Sequence, residues 1–425
     1  MLDIKFIREN KDLVIAGAKA KRMNVDVEQL LTLDEALRAK QTSLETLQSE
    51  RNSISKTIGK APAEEREALK AKVAAIKPEL EELKKTVDKL QADVNELLLL
   101  VPAPARQDVP VGKDDSENVE IKQWGEKPTF DFKPKDHVAL GEDLGLFDIE
   151  RGVKLAGSRS YILTGDGARL ETAILNLTLN ILHGQGFKQL SVPVLVKEDC
   201  MVGTGYFPNG RDQAYTVEKD ELALVGTAEV PVASMHTDEI IDSTQLPLRY
   251  MAQSTCFRRE AGTYGKDTHG LYRVHQFQKV EQVIFAKADE KESEKLHEEL
   301  LGNAETILQA LEIPYRVVYV CTGDLGQGQI RKHDIESWMP SRESYSETHS
   351  CSTFHDFQAR RLKTRYKDEN GKNQYCYTLN NTAIASPRIL IPFLECHQQK
   401  DGSIYIPEAL RPYLGGQASI EGATK

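Results

Sequence analysis

Between residues 30 and 97 the apolar side chains keep one spacing through two long runs. Leu30, Leu33, Leu37, Leu44, Leu47, Ile54 and Ile58 recur on alternating three- and four-residue steps, with Lys40 and Arg51 in two of the core slots. Gly59-Lys60-Ala61-Pro62 makes a turn, and the spacing resumes through Leu69, Val73, Ile76, Leu80, Leu83, Val87, Leu90, Val94 and Leu97. A sustained 3.5-residue period is the seam of packed helices, not of a sheet. Two seams on either side of a short connector predict an antiparallel helical hairpin. Each limb of about 30 residues would be roughly 45 Å long at 1.5 Å per residue. Pro78 lies inside the second limb but off its seam, so it should bend the helix locally and leave the seam intact. By itself such a hairpin reads as a dimerising coiled coil or a spacer.

The flanks of the hairpin set its context. Residues 1 to 24 predict one short helix with Ile4, Ile7, Leu13 and Val14 on its apolar face. Lys19, Lys21 and Arg22 near its end suit a solvated helix C-terminus, where cations favour the dipole, or a phosphate contact. Prolines 102, 104 and 110, then Gly112-Lys113-Asp114-Asp115-Ser116, break any helix and mark a linker. The chain is therefore expected to divide into residues 1–110 and 111–425.

Charge is unevenly spread. The first hundred residues carry 18 basic and 18 acidic side chains, so the net −10 belongs wholly to the rest. Any nucleic-acid contact must use local basic patches, since the chain is not basic overall. No apolar run approaches the roughly 18 residues of a membrane span. The first residues lack a signal-peptide core. Six scattered cysteines without a Cys-x-x-Cys suit free thiols in a reducing cytosol.

In the acidic part, one stretch carries most of the chemistry. Leu248, Tyr250, Cys256 and Phe257 on one side, and Val280, Val283, Ile284 and Phe285 on the other, read as two strands. Gly262, Gly265 and Gly270 between them mark a loop. Arg258 and Glu260, two apart at the strand end, are expected to point the same way. The arginine can hold a phosphate and the carboxylate can accept from an amino group. Phe277 offers a flat face to a base. This is a nucleotide site on antiparallel strands, and the chain has neither a Gly-x-x-x-x-Gly-Lys-[Ser/Thr] loop nor a Gly-x-Ser-x-Gly elbow.

Around the hairpin, Arg169 to Leu182 reads as an apolar helix leading into a strand that ends at Pro193. Thr227-Ala228-Glu229 suits a helix start. A helix over 289–312 and a strand over 315–320 follow. His137 is a lone histidine that reads as structural. His349, Cys351 and His355 are spaced for alternating strand faces better than for a tetrahedral zinc knuckle.

Cys256-Phe257-Arg258-Arg259-Glu260-Ala261-Gly262 and Arg273-Val274-His275-Gln276-Phe277 resemble motif 2 of class II aminoacyl-tRNA synthetases, in particular the seryl family. The helix–strand–proline unit resembles motif 1. Leu379 to Arg388 with its apolar tail resembles motif 3, although Pro387 stands where glycine is commoner. The class I His-Ile-Gly-His and Lys-Met-Ser-Lys-Ser signatures are missing. The resemblance implies an α+β fold, an antiparallel sheet flanked by helices behind a helical-hairpin arm that reaches tRNA. Lys56, Lys60, Lys70 and Lys72 would then be phosphate contacts near the arm's tip.

It further implies ATP-dependent ligation of L-serine to tRNA(Ser), and to tRNA(Sec), through a seryl-adenylate in a cytoplasmic homodimer. Arg258 and Arg388 are the implied catalytic residues. Thr227, Ala228, Glu229, Arg258, Glu281 and Thr382 are implied to bind serine. Arg258, Arg259, Glu260, Val274, Phe277, Glu347, Thr348, His349, Ser350 and Arg388 are implied to bind ATP. Glu347 and Ser350 are implied to meet its Mg²⁺, a hard cation that takes oxygen ligands. Two rivals remain on the residues alone: a synthetase-like paralogue acting on a carrier protein, which would lack the arm, and a non-catalytic coiled-coil protein.

Overall fold

The computed structural model describes residues 1–263 and 269–422; Gly265 of the expected loop lies outside the described residues. Two compact units divide between Pro102 and Ala103. The smaller holds Leu2–Lys19 and Met23–Pro102; the larger holds Ala103–Lys425 together with Met1 and Ala20–Arg22.

In the smaller unit the long helices are α3 (Val27–Ile58) and α4 (Ala63–Leu100). They have 32 and 38 residues, and so span about 48 and 57 Å. Asp26 caps α3, its carboxylate accepting from the Gln29 N–H. Pro78 is inside α4, as its off-seam position allows. Leu30, Leu37, Val94 and Leu98 are buried toward the base and Leu80 midway along α4, whereas the tip lysines 56, 60, 70 and 72 are exposed. The expected single helix over 1–24 is two, α1 (Ile4–Glu9) and α2 (Lys11–Ala20), separated at Asn10. The Asn10 side chain donates to the Phe6 carbonyl and its backbone takes a non-helical φ of −129°, which ends the first helix. Ile7 and Val14 are buried; Leu13 is half exposed.

Lys19 is exposed in the last turn of α2, as the solvated reading expects, but Lys21 departs from both readings. It is neither solvated nor free for phosphate: only 3% is exposed, and its ammonium donates to the carbonyls of Gly326, Gln327 and Gln329. Burial pushes its pKa down to about 7. Arg22 donates to the Lys113 carbonyl.

The larger unit is built on an eight-stranded sheet. Its strands are β1 (Val119–Trp124), β2 (Lys188–Leu190), β3 (Leu248–Phe257), β4 (Gln276–Ala286), β5 (Tyr315–Tyr319), β6 (Arg331–Met339), β7 (Ser344–His355) and β8 (Tyr377–Ser386), in spatial order β1-β5-β6-β7-β8-β4-β3-β2. All neighbours are antiparallel except β2 with β3. Helices over Gly165–Gly184, Glu290–Ala310 and Leu390–His397 contribute to the main core.

Strand β4 shows how alternation divides the unit. Successive side chains point to opposite faces. Val280, Ile284 and Ala286 join Ile174, Leu300, Ile307 and Phe393 in the main core. Val283 and Phe285 belong to a second cluster with Val232, Leu246 and Tyr250. On that second face, nearer the start of the strand, stand Phe277, Lys279 and Glu281, which line a cleft. The sheet's helix-covered face supplies the hydrophobic support and the other face supplies the site.

Candidate active site

The cleft lies over the middle of the sheet. The expected hairpin is present: β3 and β4 pair from Phe257–Gln276 to Leu248–Phe285, and the Arg258 N–H to His275 carbonyl bond extends the pairing past the strand ends. One expectation is corrected here. Arg258 and Glu260 do not share a face through strand alternation, because β3 stops at Phe257 and Glu260 has a left-handed φ of +51°. A tight backbone reversal places both side chains in the cleft wall instead.

Two strand irregularities complete the wall. In β7 the register steps from Ile335–His349 to Glu336–Glu347, so Thr348 is an extra residue. Residues three apart lie on opposite faces of a regular strand, but the bulge lets Glu347 and Ser350 share the cleft face. In β8 the extra residue is Ala383, between the Val280–Ile384 and Glu281–Thr382 pairs. Thr382 consequently stands directly opposite Glu281, and both line the cleft.

The cleft is charged but balanced. Arg258, Arg273, Lys279 and Arg388 face Glu229, Glu260, Glu281 and Glu347. Their arrangement is uneven. At one end the guanidinium of Arg388 lies 4.5 Å from the Tyr272 ring centre, with bonds to the Tyr272 and Glu347 carbonyls of 3.1 and 3.0 Å. The Ser386–Pro387 peptide before it is cis. Arg258 sits 5.2 Å from the Phe277 ring centre, and Arg273 pairs with Glu260 at 3.3 Å. Burial opposes ionisation of Glu347, but Lys332, Arg388, Arg258 and Arg273 outweigh it and hold its carboxyl below the usual range.

At the other end two carboxylates and one ammonium are buried together. Lys279 pairs with Glu281 and reaches the Thr382 hydroxyl at 3.3 Å; the Thr227 hydroxyl donates to Glu281 at 3.2 Å. The same Thr227 oxygen accepts from the Glu229 N–H at 3.2 Å, at the start of the short helix Glu229–Ser234, whose cap position is Ala228. Glu229 accepts from the Tyr206 hydroxyl at 3.0 Å and from the Gln358 amide at 2.7 Å. Burial, then the charge of Glu281, lift its carboxyl to about 7 against these bonds and Lys279.

The structure brings together Arg258, Glu260, Val274, Phe277, Glu229, Glu281, Thr382, Glu347, Thr348, His349, Ser350 and Arg388 in one wall. Thr227 joins through Glu281. Ala228 is fully buried in the second apolar cluster. Arg259 is outside the cleft: its side chain donates to the Asp212 carbonyl at 3.1 Å and its backbone to Gln213. Thr348 and His349 have side chains tied to each other at 2.8 Å, and Thr348 also to Ser337. Sequence reasoning missed Lys279, Tyr206 and Gln358. Lys279 was accessible, since it stands two residues from both Phe277 and Glu281 on one strand face; the other two reach Glu229 only through tertiary contacts.

Glu347 and Ser350 fit a magnesium ion: a carboxylate held ionised beside a hydroxyl on one face supplies hard oxygens. Zinc finds no comparable set in β7. His349 bonds Thr348, Cys351 lies 3.8 Å from His297, and His355 stacks on Tyr377. Among the described residues, one trio of metal-capable side chains lies close together, His297, Glu298 and His333. There the two imidazoles hydrogen-bond each other at 2.8 Å, and Glu298 pairs outward with Arg331. His137 is structural, bonded to Glu395 at 3.0 Å. All six cysteines are free thiols. Among the described residues no helix is long and apolar enough to cross a membrane.

Comparison with known proteins places this arrangement. Residues 215–397 match the class II core domain shared by tRNA synthetases for G, H, P, S and T, and residues 1–104 match the seryl-tRNA synthetase N-terminal domain. Serine–tRNA ligase of Deinococcus radiodurans is 48% identical over 417 residues, 98% of each chain. That of Dictyoglomus turgidum is 44% identical over 419 residues, again 98% of each. The crystal structure of seryl-tRNA synthetase from Pyrococcus horikoshii complexed with ATP superposes with a TM-score of 0.92 at 39% identity over all of both chains. With a charged cleft on an antiparallel sheet, a long helical hairpin before it and such relatives over its full length, the chain belongs to the seryl-tRNA synthetases, class II enzymes that join serine to tRNA at the expense of ATP.

Proposed function

We propose that the chain activates L-serine as seryl-adenylate and passes the seryl group to tRNA(Ser), and also to tRNA(Sec), as a cytoplasmic homodimer. One observation supports this most: a single cleft holds guanidinium groups at one end and a buried carboxylate pair at the other, with Phe277 beside them. A triphosphate needs the first, an amino acid's ammonium and hydroxyl the second, and an adenine ring the aromatic face.

In this reading no protein base is required. A serine carboxylate oxygen attacks the α-phosphorus of ATP, the bond to the bridging oxygen breaks, and pyrophosphate leaves. Arg258 aligns the serine carboxylate with the α-phosphate, and Arg388 holds the γ-phosphate, so developing charge meets fixed cations. Glu260 accepts from the adenine amino group, and Val274 closes the nucleotide pocket. Glu347 and Ser350 would hold Mg²⁺, which supplies charge neutralisation on the phosphates when bound. Glu229 pairs with the serine ammonium, and Glu281 with Thr382 takes the hydroxyl. A hydroxyl of the tRNA 3′-terminal adenosine then attacks the activated carbonyl carbon and AMP leaves. The arm, with exposed lysines 56, 60, 70 and 72 toward its tip, contacts the tRNA backbone.

ATP–pyrophosphate exchange with serine, run with and without tRNA, tests the proposal. Serine-dependent exchange without tRNA is expected. Exchange that appears only with another amino acid, or none at all alongside intact binding of a protein partner, would refute it.

A further inference from the structure

The buried end of the cleft contains a charge that the reaction itself does not call for. Lys279 is 5% exposed, lies on β4 between Phe277 and Glu281, and contacts Glu281 and the Thr382 hydroxyl. A lysine ammonium is strongly hydrated, and burying one is costly unless its partners are well placed. It cannot help to bind the substrate ammonium, which it repels. Its position therefore needs a reason.

The bonds to Glu281 provide one. Lys279 and the Thr227 hydroxyl both approach Oε2 of Glu281. Among the described residues no protein donor reaches Oε1, and the residue lines the cleft, so that oxygen is left for a ligand. Charge counting gives a second reason. With both carboxyls ionised, Glu229, Glu281 and Lys279 together carry one negative charge, which one substrate ammonium cancels. Without the lysine the same pocket would carry two buried negative charges and would take up a proton or a foreign cation instead.

We propose that Lys279 is a positioning and specificity-determining residue for serine: it pins the Glu281 carboxyl group with one oxygen turned to the substrate hydroxyl, and its charge offsets one of the pocket's two carboxyl groups. The inference rests on the proposed serine-activating function. Serine is then recognised twice, by its ammonium at Glu229 and by its hydroxyl at Glu281. Alanine satisfies only the first and leaves a buried carboxylate oxygen without a donor. The other titratable or charged groups around the pair are Tyr206, Glu229, Cys256, Arg258 and Cys351.

The test is pyrophosphate exchange by the full-length protein with serine and with alanine, across a pH series. Lys279→Met should narrow the serine-over-alanine ratio of kcat/KM by about tenfold or more, the range of a lost charge-assisted hydrogen bond. It should also move the acid side of the serine profile to higher pH, because the lysine charge favours ionised Glu229. A merely structural lysine would lower both amino acids' rates alike and leave the profile in place. Should Lys279→Met fail to fold, the Lys279→Met/Glu281→Gln variant removes both charges together. It should show the narrowed ratio with the profile back near its original position. A wild-type ratio in folded Lys279→Met, or a double-variant pH profile identical to that of Glu281→Gln alone, overturns the inference. Absence of serine exchange in the unmodified protein would instead refute the underlying function, so the two failures are distinguishable.

Discussion

Glu229 gives the sharpest quantitative prediction. Its carboxyl is 6% exposed, and burial with the nearby Glu281 charge lifts its pKa to about 7. Only the carboxylate can pair with the serine ammonium. We predict that kcat/KM for serine in pyrophosphate exchange falls as pH drops through about 7. Near pH 6 about one molecule in ten would remain competent, a roughly tenfold loss. Glu229→Gln should abolish this dependence and lower kcat/KM by about 10- to 100-fold, the worth of a hydrogen bond to a charged group. Stability should move the opposite way. The folded pKa lies above the unfolded value of about 4.3, so the native state binds the proton more tightly. The group's contribution is full below the unfolded value and is lost as pH rises through about 7. At pH near 8 the ligand-free Gln variant should therefore be more stable than the parent, by about 3–4 kcal/mol, and the difference should vanish near pH 4. Urea unfolding of both proteins at the two pH values measures it. A Glu229→Gln enzyme that keeps the acid dependence, or that is no more stable near pH 8, would refute the reasoning.

Three further outcomes are expected. Deleting residues 30 to 97 and closing the gap should leave serine-dependent pyrophosphate exchange largely intact while aminoacylation falls steeply, because the arm carries no cleft residue; equal loss of both in a folded deletant would sink this division. Arg388→Ala should slow exchange far more than Arg388→Lys, since lysine keeps the charge and loses only the planar fork; wild-type exchange rates in the alanine variant would show the γ-phosphate role to be misplaced. Glu281→Ala should raise the serine KM and narrow the serine-over-alanine ratio, read from exchange kinetics with both amino acids; an unchanged ratio with a lower serine rate would make Glu281 a structural strand residue.

The sequence by itself determined the features that depend on local periodicity and local chemistry. The heptad seams fixed α3 and α4 to within a few residues, since helix period and turn residues are properties of adjacent positions. The β3–β4 hairpin and the alternation that turns Phe277 and Glu281 to one face were legible for the same reason. The resemblance of motif 2, carried by a short contiguous run, led directly to the family. Tertiary structure alone decided what depends on register and on distant partners. Bulges at Thr348 and Ala383 bring Ser350 and Thr382 onto the cleft face, and nothing local announces an extra residue in a strand. A positive φ at Glu260 replaces the expected alternation. The lysine at 21 reads from sequence as a surface cation and is instead held by three carbonyls some 300 residues away. Lys279 reads as an ordinary strand residue until Glu281, Thr227 and Thr382, from three separate segments, are seen to converge on it or its partner. Charge burial is a property of the assembled fold, and so the electrostatics of this site could be read only once the chain had been folded around it.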